Sequence, residues 1–189
     1  LTRHPAAIFA SYADSFFDGD FQAAKAFNPI LSRYIPVVAD FIRDDSISKY
    51  HISYEELVQQ PEKSLRELSA YLDIPYEEAA LNYQRADVAD GLGDPLGVTQ
   101  HQRPVTDSIH KWTAALSVPA NFEIVASQLA GISEEDLRSW GAPKDSLWDQ
   151  LNEAHSRGLA QRKRKWNRYL LTRKLLIWLR RDIHNRALG

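Results

Sequence analysis

The sequence predicts an α/β fold of which these 189 residues supply the mostly helical portion. Three observations carry that expectation. Apolar residues recur at helical spacing along most of the chain. One segment, residues 49–53, alternates like a strand and turns at once into a capped helix. A short extended stub at Leu1 and Thr2 feeds a turn at Pro5. One strand and one stub cannot build a sheet, which needs about three strands for independent stability. Either the chain is nearly all helical, or further strands precede it; the second is the expectation.

Pro5 suits the first turn of a helix, where its missing N–H is not needed, so a helix is expected over residues 5–16. Asp18-Gly19-Asp20 breaks it. Residues 21–44 read as helical with interruptions at Pro29 and Pro36, predicting kinks or separate segments. Ser53 followed by Glu56 fits a capping box that starts the next helix. Pro61 opens another, with Leu65, Leu68 and Leu72 on one buried face, and Asp73-Ile74-Pro75 stops it. Residues 85–105 hold Gly91, Gly93, Gly97, Pro95 and Pro104 and read as a long loop, which in a compact domain is usually functional. Helices follow over 106–116, then after Pro119 with Phe122, Val125, Ala126 and Leu129 inward, then from Ser133 to near Gly141. No internal repeat or low-complexity tract interrupts this order.

The apolar fraction of 44% suffices for a real core. No apolar run approaches the eighteen or so residues that span a bilayer, and no signal peptide is visible, so a cytoplasmic location is expected. With no Cys, the chain holds no disulfide, thiolate nucleophile or Cys-ligated zinc. With no Met, Leu1 is expected not to be an initiator, and the chain to be processed or part of something longer. The net charge of −2 hides an asymmetry. Residues 157–189 carry 11 of the 23 basic residues but one of the 25 acids, Asp182. An acidic body over residues 1–156 thus joins a basic end, and the domain boundary is expected at residue 142, with a basic amphipathic helical tail over 143–189.

Arg3 and Ser11 lie eight residues apart across the stub-to-helix turn. A guanidinium and a hydroxyl so placed can converge on one phosphate beside a helix N-terminus, where N–H groups and the dipole favour an anion. The plainer alternative is an ordinary helix start with a surface Arg and a small packing Ser. Tyr54 offers an aromatic ring with a hydroxyl, able to stack on a base or bond its edge, or else to serve the core or the cap. Glu55 and Glu56 fit the helix start better than catalysis. No G-x-x-x-x-G-K-[ST] exists, and no His pair has the spacing of a metal site.

Three segments together resemble sulfotransferases that use 3'-phosphoadenosine 5'-phosphosulfate (PAPS). LTRHPAAIFASY, residues 1–12, resembles the family's 3'-phosphate element. YHISYEELVQQPEKSLRELSAYLDIP, residues 50–75, resembles its strand ending in Tyr-Glu-x-Leu, followed by a Pro-started helix and a Leu-x-Ile-Pro stop. GDPLGVTQHQRPV, residues 93–105, with SIHKW, residues 108–112, resembles the late loop of the tyrosylprotein and bacterial branches. The resemblance covers about residues 1–142. It implies a P-loop-like α/β fold with nucleotide at the strand ends. It also implies that Arg3, Ser11 and Arg103 hold the nucleotide phosphate of PAPS or 3',5'-ADP and that Tyr54 contacts the adenine. Trp112 is expected in the core.

This sequence departs from the family where His4 replaces Asp or Asn, where Arg103 replaces Lys, and where the cytosolic branch's Arg-Lys-Gly is lacking. The 5'-phosphosulfate loop and the catalytic base have no counterpart and are expected upstream of Arg3, so the isolated chain is expected to be inactive. In-line sulfuryl transfer to a hydroxyl or amine would rest on positioning and electrostatics, as in phosphoryl transfer. The class of acceptor is unreadable from these residues, and no nucleic-acid motif or metal is expected.

The tail admits three readings. Leu171, Leu175, Trp178 and Leu179 line one face, and Arg162, Lys163, Arg164, Lys165, Arg168, Arg173, Lys174, Arg180 and Arg181 crowd the rest. It can lie on an anionic membrane surface as a peripheral contact through 157–189, dock on an acidic patch, or pack on the core with a solvated basic face. A non-catalytic helical module that binds membrane or an anionic partner through this tail is therefore the alternative to the enzyme.

Overall fold

The structure, a computed structural model, describes residues 1–82, 104, 106 and 109–158. Arg103, the expected loop over 93–102 and the basic tail from residue 159 onward lie outside the described residues. Nine α-helices occur among the described residues: α1 Pro5–Phe17, α2 Phe21–Phe27, α3 Ile30–Arg43, α4 Tyr54–Gln59, α5 Pro61–Tyr71, α6 Lys111–Leu116, α7 Pro119–Leu129, α8 Glu134–Trp140 and α9 Lys144–Gly158. A single 3-10 turn, Glu78–Leu81, follows α5. No helix among them is long and apolar enough to cross a membrane.

The expected α/β fold with a P-loop-like parallel sheet is overturned. The described residues contain no β-strand, and the two extended segments meet in one isolated parallel bridge, Thr2 with Ser53. The physical reason lies in the segments themselves. Pro5 ends the first after four residues and the Ser53 cap ends the second, so neither offers a ladder for a third strand.

The chain divides into two compact units: Leu1–His4 with Asp44–Ile109, and Pro5–Arg43 with the described residues from His110 onward. The expected boundary at residue 142 falls inside the second unit, because α9 places Leu147, Leu151 and Ala154 in that unit's core.

The second unit is built around small residues. α1 buries Ala6, Ala7, Phe9 and Ala13, and the alanines let neighbouring helices approach closely around Phe9, whose ring meets Phe21 edge-on at 5.3 Å. Asp18 and Gly19 are left-handed, at φ 56° and 77°, and reverse the chain into α2, which Asp20 caps by accepting from the Ala23 N–H at 2.9 Å. Asn28 and Pro29 separate α2 from α3, as expected, but Pro36 does not break α3. The stripe Leu31, Ile35 and Ala39 is buried at i, i+4, i+8, and that burial outweighs the hydrogen bond Pro36 cannot donate. Gln128 is buried on α7 and its Oε1 accepts from the Leu31 N–H at 3.4 Å, supplying one of the unmet donors at the start of α3. Trp112 is buried in this core, as expected.

α3 is fastened to α8 by Arg43. Its guanidinium lies 2.7 Å from Asp136, 3.1 Å from Asp40 and 3.2 Å from the Ser139 hydroxyl. Ser133 caps α8 by accepting from the Asp136 N–H at 3.0 Å. Hydrogen bonding with Ser133, then the Arg43 contact, holds the Asp136 carboxyl below its usual range. On α9, His155 stacks on Phe122 with ring centroids 4.5 Å apart, and its Nδ1 lies 3.2 Å from the Leu116 carbonyl oxygen.

Among its described residues the first unit buries Val58, Leu81 and Ile109. On the expected inward face of α5, Leu65 and Leu68 are half-buried beside Ser64, which is 1% exposed, while Leu72, past the helix end, is 52% exposed. α5 ends in a Schellman closure, with Ile74 N–H to Ser69 O at 3.0 Å and Asp73 N–H to Ala70 O at 3.2 Å.

Candidate functional site

The candidate site lies in the first unit, where residues 1–4 run beside residues 51–55. His4 precedes Pro5, and the residue before a proline is pushed into extended backbone, which keeps this segment strand-like. Ser53 is extended too, at φ −88° and ψ 150°. The two segments pair in parallel: Thr2 N–H donates to Ile52 O at 3.0 Å, and Tyr54 N–H donates to Thr2 O at 2.7 Å. Ser53 then caps α4 by accepting from the Glu56 N–H at 3.1 Å, so Tyr54 becomes the first residue of that helix.

This pairing brings Arg3 and Tyr54 together. The guanidinium carbon of Arg3 stands 4.3 Å from the centroid of the Tyr54 ring. Such stacking contributes about 0.5–2 kcal/mol, rising as the pair is desolvated, and both residues here are half-buried. A guanidinium is planar, and its N–H groups match the geometry of carboxylate and phosphate oxyanions. One face of the Tyr54 ring is taken by Arg3, so a base would meet its opposite face or its hydroxyl.

Two further contacts fix the corner, and sequence reasoning missed both. Thr2, at 2% exposure, sets its hydroxyl 2.9 Å from Nε2 of His51. Burial pushes the His51 imidazole below its usual pKa, favouring the neutral ring. The Glu55 carboxylate accepts the His4 backbone N–H at 3.0 Å, tying the residue after Arg3 to the residue after Tyr54. Glu55 and Glu56 were expected to serve the helix start; the Glu56 backbone N–H is the one Ser53 caps, and its carboxylate lies 3.9 Å from the Lys63 ammonium. The signal that could have found these contacts is the pairing of the two extended stubs. In parallel register it sets Thr2 beside His51 and His4 beside Glu55.

Ser11 is exposed on the second turn of α1, in the second unit. Arg103 lies outside the described residues. A groove along α5, lined by Gln60, Glu62, Lys63, Arg66, Glu67 and Leu81, holds charges that satisfy one another: Arg66 pairs with Glu62 at 2.8 Å and Lys63 with Glu67 at 3.8 Å. Among the described residues, no group of three or more His, Asp or Glu side chains is gathered where it could hold a metal ion. Comparison of the chain with protein-family models, with curated proteins and with solved structures returned no match.

Proposed function

We propose that this chain holds the nucleotide end of PAPS, or of its product 3',5'-ADP, for sulfuryl transfer to a hydroxyl or amine acceptor. The observation that carries the reading is the stack of Arg3 on Tyr54. These two residues are 51 apart, and the sequence singled out each of them separately, one for a phosphate and one for a base. In this reading the Arg3 guanidinium takes the 3'-phosphate; the family resemblance adds Ser11 and Arg103 as expected donors, Ser11 lying in the second unit and Arg103 outside the described residues. Tyr54 holds the Arg3 plane flat and meets the adenine. Glu55 and Thr2 are positioning residues that keep the Arg3 backbone extended. Groups that touch the sulfuryl and take the acceptor's proton would lie elsewhere, since none of these four donors is a base.

A second reading is favoured by one observation, the almost wholly helical character of the described chain. It is a non-catalytic helical module that recognises an anionic or membrane partner. One experiment separates the two. Calorimetric titration of the chain with 3',5'-ADP and with 5'-AMP is expected to show a preference for 3',5'-ADP. Arg3→Ala is expected to weaken that ligand roughly tenfold to a hundredfold, about 1.4–2.7 kcal/mol, as for loss of a charge-assisted pair. Tyr54→Phe, which keeps the ring, is expected to retain most of the affinity. Equal binding of both nucleotides, or none, removes the sulfotransferase reading and leaves the module.

A further inference from the structure

Helix α3 carries two apolar faces. Leu31, Ile35 and Ala39 point into the core of the second unit. Tyr34, Val37 and Phe41 recur at i, i+3, i+7 and are 45%, 64% and 48% exposed. That second stripe is continued by aromatic side chains of the neighbouring helices. The Asn28 amide donates to the Tyr34 hydroxyl at 3.4 Å, Phe27 meets Phe17 at 5.6 Å, and Tyr12 meets Phe16 at 5.8 Å. Phe16 and Phe27 are 64% and 75% exposed. With about 150–250 Å² per aromatic side chain, this patch offers roughly 400–600 Å² of apolar surface, the top of the range for a monomer.

We propose that this face of α3 pairs with the same face of a second copy of the chain, the two helices running antiparallel. The charge pattern selects that occupant and that direction. Tyr34, Val37 and Phe41 occupy the a, d and a positions of a heptad, which makes Arg33 and Asp40 successive g positions on the exposed flank. Both are exposed, Asp40 to 84% of its side chain, with Asp40 also 3.1 Å from Arg43 of its own helix and Arg33 lying over the Tyr34 ring at 5.6 Å. In an antiparallel pair the g position near one end of a helix faces the g position near the other end of its partner. Arg33 of each copy therefore meets Asp40 of the other, two opposite-charge pairs related by the twofold axis. A parallel pair would set these flanks in a register that brings no Arg33 to an Asp40. In that register Tyr34 of each copy packs on Val37 of the other, so the stripe is self-complementary. The area sets the strength. A standard interface buries about 800 Å² per partner, and this patch is smaller, so the dimer is weak and forms at roughly tens to hundreds of micromolar chain.

Sedimentation equilibrium on the full chain tests this. Average mass is expected to climb from one copy toward two over roughly 1–500 µM. Val37→Glu, at an exposed position, is expected to hold the chain monomeric with unchanged circular dichroism. Arg33→Glu is expected to weaken association several-fold, and Asp40→Arg added to it to restore it. A monomer at every concentration overturns the proposal. So does a dimer that survives Val37→Glu, or a double variant as weak as the single.

Discussion

Two helix ends in this chain use the same closure with different residues, and they show what one side chain costs. α8 ends at Gly141, φ 94°, with Gly141 N–H to Arg138 O at 3.0 Å and Ala142 N–H to Leu137 O at 2.9 Å. α5 ends at Asp73, φ 53°, with the same pair of bonds. A Cβ built on Gly141 meets nothing within 4 Å, so a substitution there is opposed by backbone conformation and not by a clash. Gly141→Ala is expected to cost about 1 kcal/mol, and Asp73→Gly to gain several tenths, in chemical denaturation. A larger loss at Gly141 would mean a hidden steric role. Both stops were legible in the sequence, Gly141 as a C-terminal glycine and Asp73 as part of Asp-Ile-Pro. The contacts at Thr2, His51 and Glu55 were not, because they depend on which two short stubs lie side by side. Their residue types carry no signal of that pairing.

Local chemistry also decided the helices. The caps at Asp20, Ser53 and Ser133, the prolines at 5, 61 and 119 and the apolar period placed most of them. Pro36 misled because a proline rule weighs one missing hydrogen bond, whereas Leu31, Ile35 and Ala39 weigh three buried side chains. Leu72 misled because the periodic stripe runs one residue past Tyr71, where α5 ends, and Ser64 is the residue of that helix buried most fully. Between elements, the Arg43 link from α3 to α8 has a defined response to acid. The Asp136 carboxyl is held below its usual range when folded, so its contribution is present above the unfolded pKa, near 3.9, and is lost as pH falls through the folded value. Asp136→Asn is expected to cost about 1 kcal/mol at pH 7, the pair being 16% and 31% exposed. As pH falls below about 4 toward the folded value the parent should lose that margin and the two unfolding curves converge. A gap independent of pH would assign the loss to packing and not to charge.

At the scale of the whole molecule, the sequence suggested one domain cut by a tail, and the chain instead folds as two units whose segments interleave along it. Nothing in composition or periodicity marks residues 4 and 43 as crossing points, because the helices on either side share one pattern. The two units differ in what stabilises them. Among the described residues, the second buries Phe9, Leu31, Ile35, Leu116, Leu129, Leu137, Leu147 and Leu151 almost fully, whereas the first buries Val58, Leu81 and Ile109 with the polar Thr2 and Ser64. Opening free energy follows buried apolar area, so the first unit should open first. In native-state hydrogen exchange, amides of α4 and α5 are expected to exchange roughly tenfold to a hundredfold faster than those of α1 and α7, a gap of about 1.4–2.7 kcal/mol. Ligand linkage then gives the candidate site its own reading. A nucleotide held by Arg3 and Tyr54 stabilises the unit that carries them, so 3',5'-ADP should slow exchange most at residues 1–4 and 51–59. Equal protection in both units without ligand would sink the stability ranking. Slowing confined to α1, around Ser11, would move the nucleotide away from the Arg3 and Tyr54 corner.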